Sequence, residues 1–237
     1  MTTFWDDEPD APEDDYELSI QGVALAPDGD GEYRLALRTT RGDILGQFSV
    51  CEGETGAAVF VSGASGGFTG PANGIYARLA ESLRDQRVST LRLDYRHPGE
   101  FEECVLDVLG ALSFLKGIGA ERVVLVGHSF GGAVAIRAGV LAPIVSAVAA
   151  MSSQLHGARE VAQLSPRPLL LIHGMDDQVL EATASEALYD WAEEPKRLVL
   201  YADAGHALQQ CQAELYDLLV DWIPAHAVAN EGADANG

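Results

Sequence analysis

The sequence predicts an α/β protein with a mostly parallel central sheet, helices on both faces, and antiparallel strands at its N-terminal edge. Three observations lead there. A chain of 237 residues suits one domain of this class better than two small ones. Short β-type runs separated by Gly-Asp turns come first. From residue 57 onward, continuously apolar runs alternate with helical patterns, as strands covered on both faces require.

The first strand candidates are Leu18–Leu25 and Tyr33–Arg38, with Pro27-Asp28-Gly29-Asp30-Gly31 as the turn between them. Arg41-Gly42-Asp43 turns into a third run, Ile44–Val50. The buried strands are then expected at Ala57–Val61, Val88–Leu93, Arg122–Val126, Val145–Met151, Pro168–His173 and Arg197–Tyr201. Helical spacing falls at Ala72–Arg84, Phe101–Lys116, Phe130–Leu141, Glu181–Trp191 and Ala207–Ile223. The domain expected from this pattern spans 18–224. Residues 1–17 read as an acidic tail, since clustered carboxylates and prolines bury too little apolar area to offset the entropy of ordering. Residues 225–237, rich in Ala, Gly and Asn, read as a flexible end.

Charge and composition exclude several functions. The net charge is −21, and ten of these units lie in the two tails. The remainder is still acidic, so attraction to nucleic acid or to an anionic membrane is not expected. No apolar run is long enough to span a bilayer. The segment Met1–Glu8 has neither a basic nor an apolar stretch, so no secretory signal is expected. Cys51, Cys104 and Cys211 are odd in number and far apart. They suit neither a disulfide framework nor a zinc site, and a reducing cytoplasm fits them. No His and carboxylate pair has helical metal-ligand spacing, so neither metal nor cofactor is expected.

The most informative segment is Arg122–Arg137. A strand of β-branched residues runs into Gly127-His128-Ser129-Phe130-Gly131, and an Ala-rich helix follows. This is G-x-S-x-G in the strand-to-helix setting that gives the motif its meaning. A serine in so sharp a turn needs positive φ and small neighbours. The helix that begins at Phe130 points its first N–H groups and the positive end of its dipole at the serine oxygen, which makes the Phe130 N–H an oxyanion donor. His128 and His173 read as structural histidines.

With this segment the chain resembles the α/β-hydrolase superfamily over about residues 30–223, in particular its compact, uncapped esterases and dienelactone-hydrolase-like enzymes. The resemblance implies a triad in the order Ser, Asp, His. Ile172-His173-Gly174-Met175-Asp176-Asp177-Gln178-Val179 looks like the family's H-G-x-x-D-x-V-V segment and aligns Asp177 with the acid. Asp176 stands beside it, and a one-residue shift of the loop exchanges the two. Tyr201-Ala-Asp-Ala204-Gly205-His206 matches the family's last strand and its Gly-His ending, which makes His206 the base. The second oxyanion donor, by the same resemblance, is the N–H of Ala64, although Ser62-Gly63 stands where the family commonly has His-Gly. Asp94-Tyr95-Arg96-His97 departs from the family's D-x-R-G, and Asp94 and Arg96 are expected to form an ion pair or to anchor a loop.

Only 16 residues separate Met151 from Pro168, too few for a helical cap. The site is therefore expected to be open and lined by short loops, with Ser65, Phe68, Met151, Val179 and Leu208 as pocket residues. The expected activity is hydrolysis of carboxylic esters of small or exposed acyl substrates through an acyl-enzyme. A thioesterase, peptidase or acyltransferase using the same triad is the alternative, and a non-catalytic binding protein of this fold the third reading.

Overall fold

A computed structural model describes residues 17–29 and 31–228. Of the tails expected at 1–17 and 225–237, residues 1–16 and 229–237 lie outside the described residues, while 225–227 are helical. Nine strands form one sheet: β1 (Ile20–Pro27), β2 (Glu32–Thr39), β3 (Gly42–Ser49), β4 (Gly56–Val61), β5 (Ser89–Asp94), β6 (Arg122–His128), β7 (Val145–Met151), β8 (Leu169–Gly174) and β9 (Lys196–Tyr201). Their order is β1-β2-β3-β5-β4-β6-β7-β8-β9. β1 to β3 pair antiparallel, as does β3 with β5, and every pairing from β5 to β9 is parallel.

The apolar runs explain this arrangement. In β4, Ala57, Val59 and Val61 enter one core while Ala58 and Phe60 enter the other. β6 and β8 divide in the same way. A strand whose two faces are both buried leaves no polar positions, which is the cause of the continuous hydrophobicity. Among the described residues the helices are α1 (Pro71–Asp85), α2 (Phe101–Gly117), α3 (Phe130–Leu141), α4 (Thr183–Trp191) and α5 (Gln212–Ala227). α2, α3 and α4 supply residues to one core, and α1 and α5 to the other. Between β7 and β8 the chain makes only a short 3₁₀ turn, Val161–Leu164, so no cap is inserted there.

Two helix boundaries differ from expectation, each for a tertiary reason. In α1, Ala72, Asn73 and Gly74 have left-handed backbone, with φ of 49°, 57° and 82°, so the regular helix begins after them. The Ala72 N–H donates to the carbonyl of Ala207 at 2.7 Å, which ties this turn to the loop after β9. α5 begins at Gln212 and runs to Ala227, past the end expected at Ile223. Pro224 brings no N–H for the Val220 carbonyl, and Gln86 Nε2 donates to it instead at 3.2 Å. Beyond the proline, the His226 carbonyl accepts from Arg122 and Ser146, and Ala227 is buried. Among the described residues, no helix is long and apolar enough to cross a membrane.

Candidate active site

At the end of β6 the chain reverses at Ser129, whose φ of 58° and ψ of −121° are costly for a residue with a side chain. The surroundings hold it there. The Ser129 N–H donates to the Met151 carbonyl at 2.8 Å, and its own carbonyl accepts from Gly132 at 3.0 Å. A Cβ on Gly127 would come within 2.1 Å of the Gly131 carbonyl oxygen, and one on Gly131 within 2.1 Å of the Ser62 oxygen. Close backbone approach, more than conformational freedom, demands glycine at both positions.

The structure brings Ser129, His206 and Asp177 together from three loops at the C-terminal ends of the parallel strands. His206 Nε2 lies 3.0 Å from Ser129 Oγ, and His206 Nδ1 lies 2.7 Å from Asp177 Oδ2. Asp177 Oδ1 accepts from the N–H groups of Val179 and Leu180 at 2.8 and 2.9 Å. Burial opposes ionisation of Asp177, but the Leu180 N–H, His206 and the Val179 N–H outweigh it and hold the carboxyl below its ordinary range. An ionised acceptor requires the proton of His206 on Nδ1, which leaves Nε2 to accept from the serine hydroxyl. Asp176 is exposed and its N–H bonds to Ala204. Of the two neighbouring acids, Asp177 is the one that meets His206.

Two residues hold the base in place through its backbone. The His206 carbonyl accepts from His128 Nε2 at 2.9 Å and from Ser152 Oγ at 3.1 Å. The His128 ring lies 4.9 Å, centroid to centroid, from the His206 ring. Burial pushes the His128 pKa down to about 4 from an ordinary 6.5. The unfolded chain therefore binds this proton first, so stability is complete above about 6.5 and is lost as pH falls towards about 4. We expect the thermal midpoint to drop across that window, and to drop less in His128→Gln. Parallel slopes for the two proteins would show that the pH dependence has another origin. Ser152, fully buried and with φ of 45°, carries no motif that sequence reading could have caught.

The loop 62–68 lies against the serine, since a Cβ on Gly63 would stand 3.8 Å from Ser129 Cβ. It is fastened from below. Tyr76 and Tyr95 donate their hydroxyls to the carbonyls of Val61 and Ser62, both at 3.0 Å, and Asp94 Oδ1 accepts the Gly67 N–H at 2.7 Å. Asp94 is thus a loop anchor. Arg96 does not pair with it and instead binds Glu103 and Asp107. The Ala64 N–H follows Gly63 in this loop. The Phe130 N–H is the first of α3, among the four that no intrahelical carbonyl satisfies.

The pocket differs from expectation. Met151 and Leu208 have no exposed surface and belong to the core under α1 and α5. Met151 continues the inward alternation of Ala147 and Ala149 along β7, and Leu208 follows a turn that folds it onto α5. Ser65 is exposed, Phe68 lines a groove over β1 to β3, and Val179, 68% exposed, lines a cleft of about 580 Å³ together with Asp177, as expected of a pocket residue. A cleft of about 780 Å³ instead opens beside Phe130, with Arg41, Phe101, Glu103, Gln154 and His156 among its walls. Its size is that of a small-molecule site. These residues come from four separate segments, which is why no motif announced them. Among the described residues, no group of three or more His, Cys, Asp or Glu could hold a metal.

A sheet of this order, with a serine at the β6–α3 turn and an acid and a histidine on later loops, defines the α/β-hydrolase fold. The chain has this fold, and residues 58–168 match the model of the alpha/beta hydrolase family. Among curated proteins it is 34% identical to YfhR of Escherichia coli K12 over 132 residues, covering 45% of this chain and 46% of that protein. The YfhR of Salmonella typhi is 29% identical over 189 residues, covering 61% and 65%. The chain thus spans about half to two thirds of the length of these relatives. Among solved structures, a dienelactone hydrolase from Anabaena variabilis superposes with a TM-score of 0.72 at 21% identity, covering 83% of this chain and 98% of the other. Est1E of Butyrivibrio proteoclasticus gives 0.66 at 15% identity, covering 86% and 98%. Acetyl xylan esterase 1 from Thermoanaerobacterium gives 0.68 at 15%, covering 87% and 88%.

Proposed function

We propose that this protein is a serine hydrolase that cleaves carboxylic esters of small or exposed substrates through an acyl-enzyme. The observation that carries the reading is the hydrogen-bonded chain from Ser129 Oγ through His206 to Asp177, with links of 3.0 and 2.7 Å. Solved neighbours named as esterases support the choice of esters.

In the first half-reaction Ser129 Oγ attacks the ester carbonyl while its proton passes to His206 Nε2. The carbonyl oxygen becomes an oxyanion between the N–H groups of Phe130 and Ala64. Asp177 stabilises the imidazolium so formed. The C–O bond to the alcohol breaks, and His206 returns the proton to that oxygen. Water then attacks the acyl-enzyme by the same route, releasing the acid and restoring the serine. The open sheet edge leaves room for a substrate whose ester is exposed.

The test is labelling of purified protein by a fluorophosphonate, wild type beside Ser129→Ala, with turnover of matched ester, thioester and anilide substrates. We expect labelling in the wild type alone and fastest turnover of the ester. A folded wild type that takes up no label would sink the hydrolase reading. Preferred thioester or anilide cleavage would replace the ester by that class.

A further inference from the structure

His173 is the penultimate residue of β8, four residues before Asp177, and has no exposed side-chain surface. The reaction described above makes no use of it. Its Nε2 lies 3.1 Å from Asp177 Oδ2 and 2.9 Å from the carbonyl of Leu180. Both partners are acceptors, so the proton must sit on Nε2. On the other side, Nδ1 lies 2.7 Å from the hydroxyl of Ser185, which is itself fully buried on α4. With Nε2 protonated, a neutral ring offers Nδ1 to the Ser185 hydroxyl proton. The Ser185 hydroxyl, which can donate or accept, donates here and satisfies Nδ1.

Asp177 Oδ2 consequently receives two imidazole N–H groups, from His206 at 2.7 Å and from His173 at 3.1 Å. Oδ1 receives the two backbone N–H groups of Val179 and Leu180. Four donors meet a carboxylate that offers about four lone-pair sites. We propose that His173 is a positioning residue for the acid: it orients the Asp177 carboxylate towards His206, with Ser185 holding its ring through Nδ1. Its second bond, to the Leu180 carbonyl, closes the same turn whose N–H groups hold Oδ1. Without it, among the described residues only His206 bonds Oδ2, and the two N–H groups at Oδ1 are left as the other restraint on rotation about the Cβ–Cγ bond. The inference rests on the serine-hydrolase reading.

A histidine that merely fills space would affect folding but not the turnover of folded enzyme. The experiment therefore measures kcat and KM for a small acyl ester, per folded molecule, in wild type, His173→Leu, His173→Gln and Ser185→Ala. We expect His173→Leu to lower kcat about tenfold or more with KM unchanged, the size of a lost hydrogen bond to a charged group. His173→Gln, whose amide can donate to Oδ2, should recover most of that loss. Ser185→Ala should lower kcat a few-fold. Unchanged kcat in His173→Leu, or equal loss in the Leu and Gln variants, overturns the positioning role. Where His173→Leu does not fold, an unchanged kcat in Ser185→Ala overturns it instead. A wild type that neither takes up fluorophosphonate nor turns over any ester overturns the hydrolase reading, and this inference falls with it.

Discussion

Asp177→Asn should lower kcat for a small acyl ester by about 10⁴-fold, while Asp176→Asn stays within about twofold of wild type. The reason is an enforced amide orientation. The N–H groups of Val179 and Leu180 at Oδ1 demand an acceptor, so the asparagine oxygen must take that place. Its NH₂ then stands where Oδ2 stood, facing His206 Nδ1. That nitrogen must become an acceptor, the proton moves to Nε2, and the ring can no longer receive the Ser129 hydroxyl proton. His173 Nε2–H meets the same NH₂, so two donors also face each other there. Asp176 is exposed and contacts none of these groups through its side chain. Steady-state kinetics on both variants, with folded concentration checked by circular dichroism, reads the difference. Comparable losses in the two would mean that the loop sits one residue away from the arrangement described.

Gly131→Ala should cost at least about 3 kcal/mol of stability, the upper end for overpacking, and reduce the yield of folded protein. Its Cβ would lie 2.1 Å from the Ser62 oxygen and 2.7 Å from the Val61 oxygen. Both obstacles are backbone, so no rotamer change relieves them. Val61 ends the central strand β4, and the Ser62 carbonyl is held by Tyr95. Either the serine turn or this strand end has to move, and both belong to the site. Gly117→Ala is the matched control, because nothing lies within 4 Å of the added carbon and alanine favours the end of α2. Urea midpoints of the two variants provide the comparison. An unchanged midpoint for Gly131→Ala would mean that the approach of β4 to the serine turn is looser than described.

What could be read from the sequence was local. Strand and helix alternation appears in hydrophobic periodicity, because a strand covered on both faces has no polar positions, as in Val123–Val126. Ser129 could be read because its backbone geometry excludes side chains at Gly127 and Gly131, which leaves a trace in composition. The acid and the base could be nominated only through resemblance, since neither Asp177 nor His206 is marked by periodicity. The ends of α1 and α5 were misjudged because bonds to distant residues, Ala207 and Gln86, support turns that local preference disfavours.

By itself, then, the sequence determined the class of fold, the position of the serine turn and the acidic character of the chain. These follow from properties repeated along the chain or confined to a few neighbouring residues. Only the tertiary structure decided which of two adjacent carboxylates meets His206, that Met151 and Leu208 turn into the core, and that His128 and Ser152 grip the base by its carbonyl. It also decided that a cleft lies beside Phe130 and that His173 shares the acid. Each of these depends on the direction of one side chain or one N–H group, in most cases relative to a segment tens of residues away. Such directions are set when the sheet closes its register and the loops at its edge pack together.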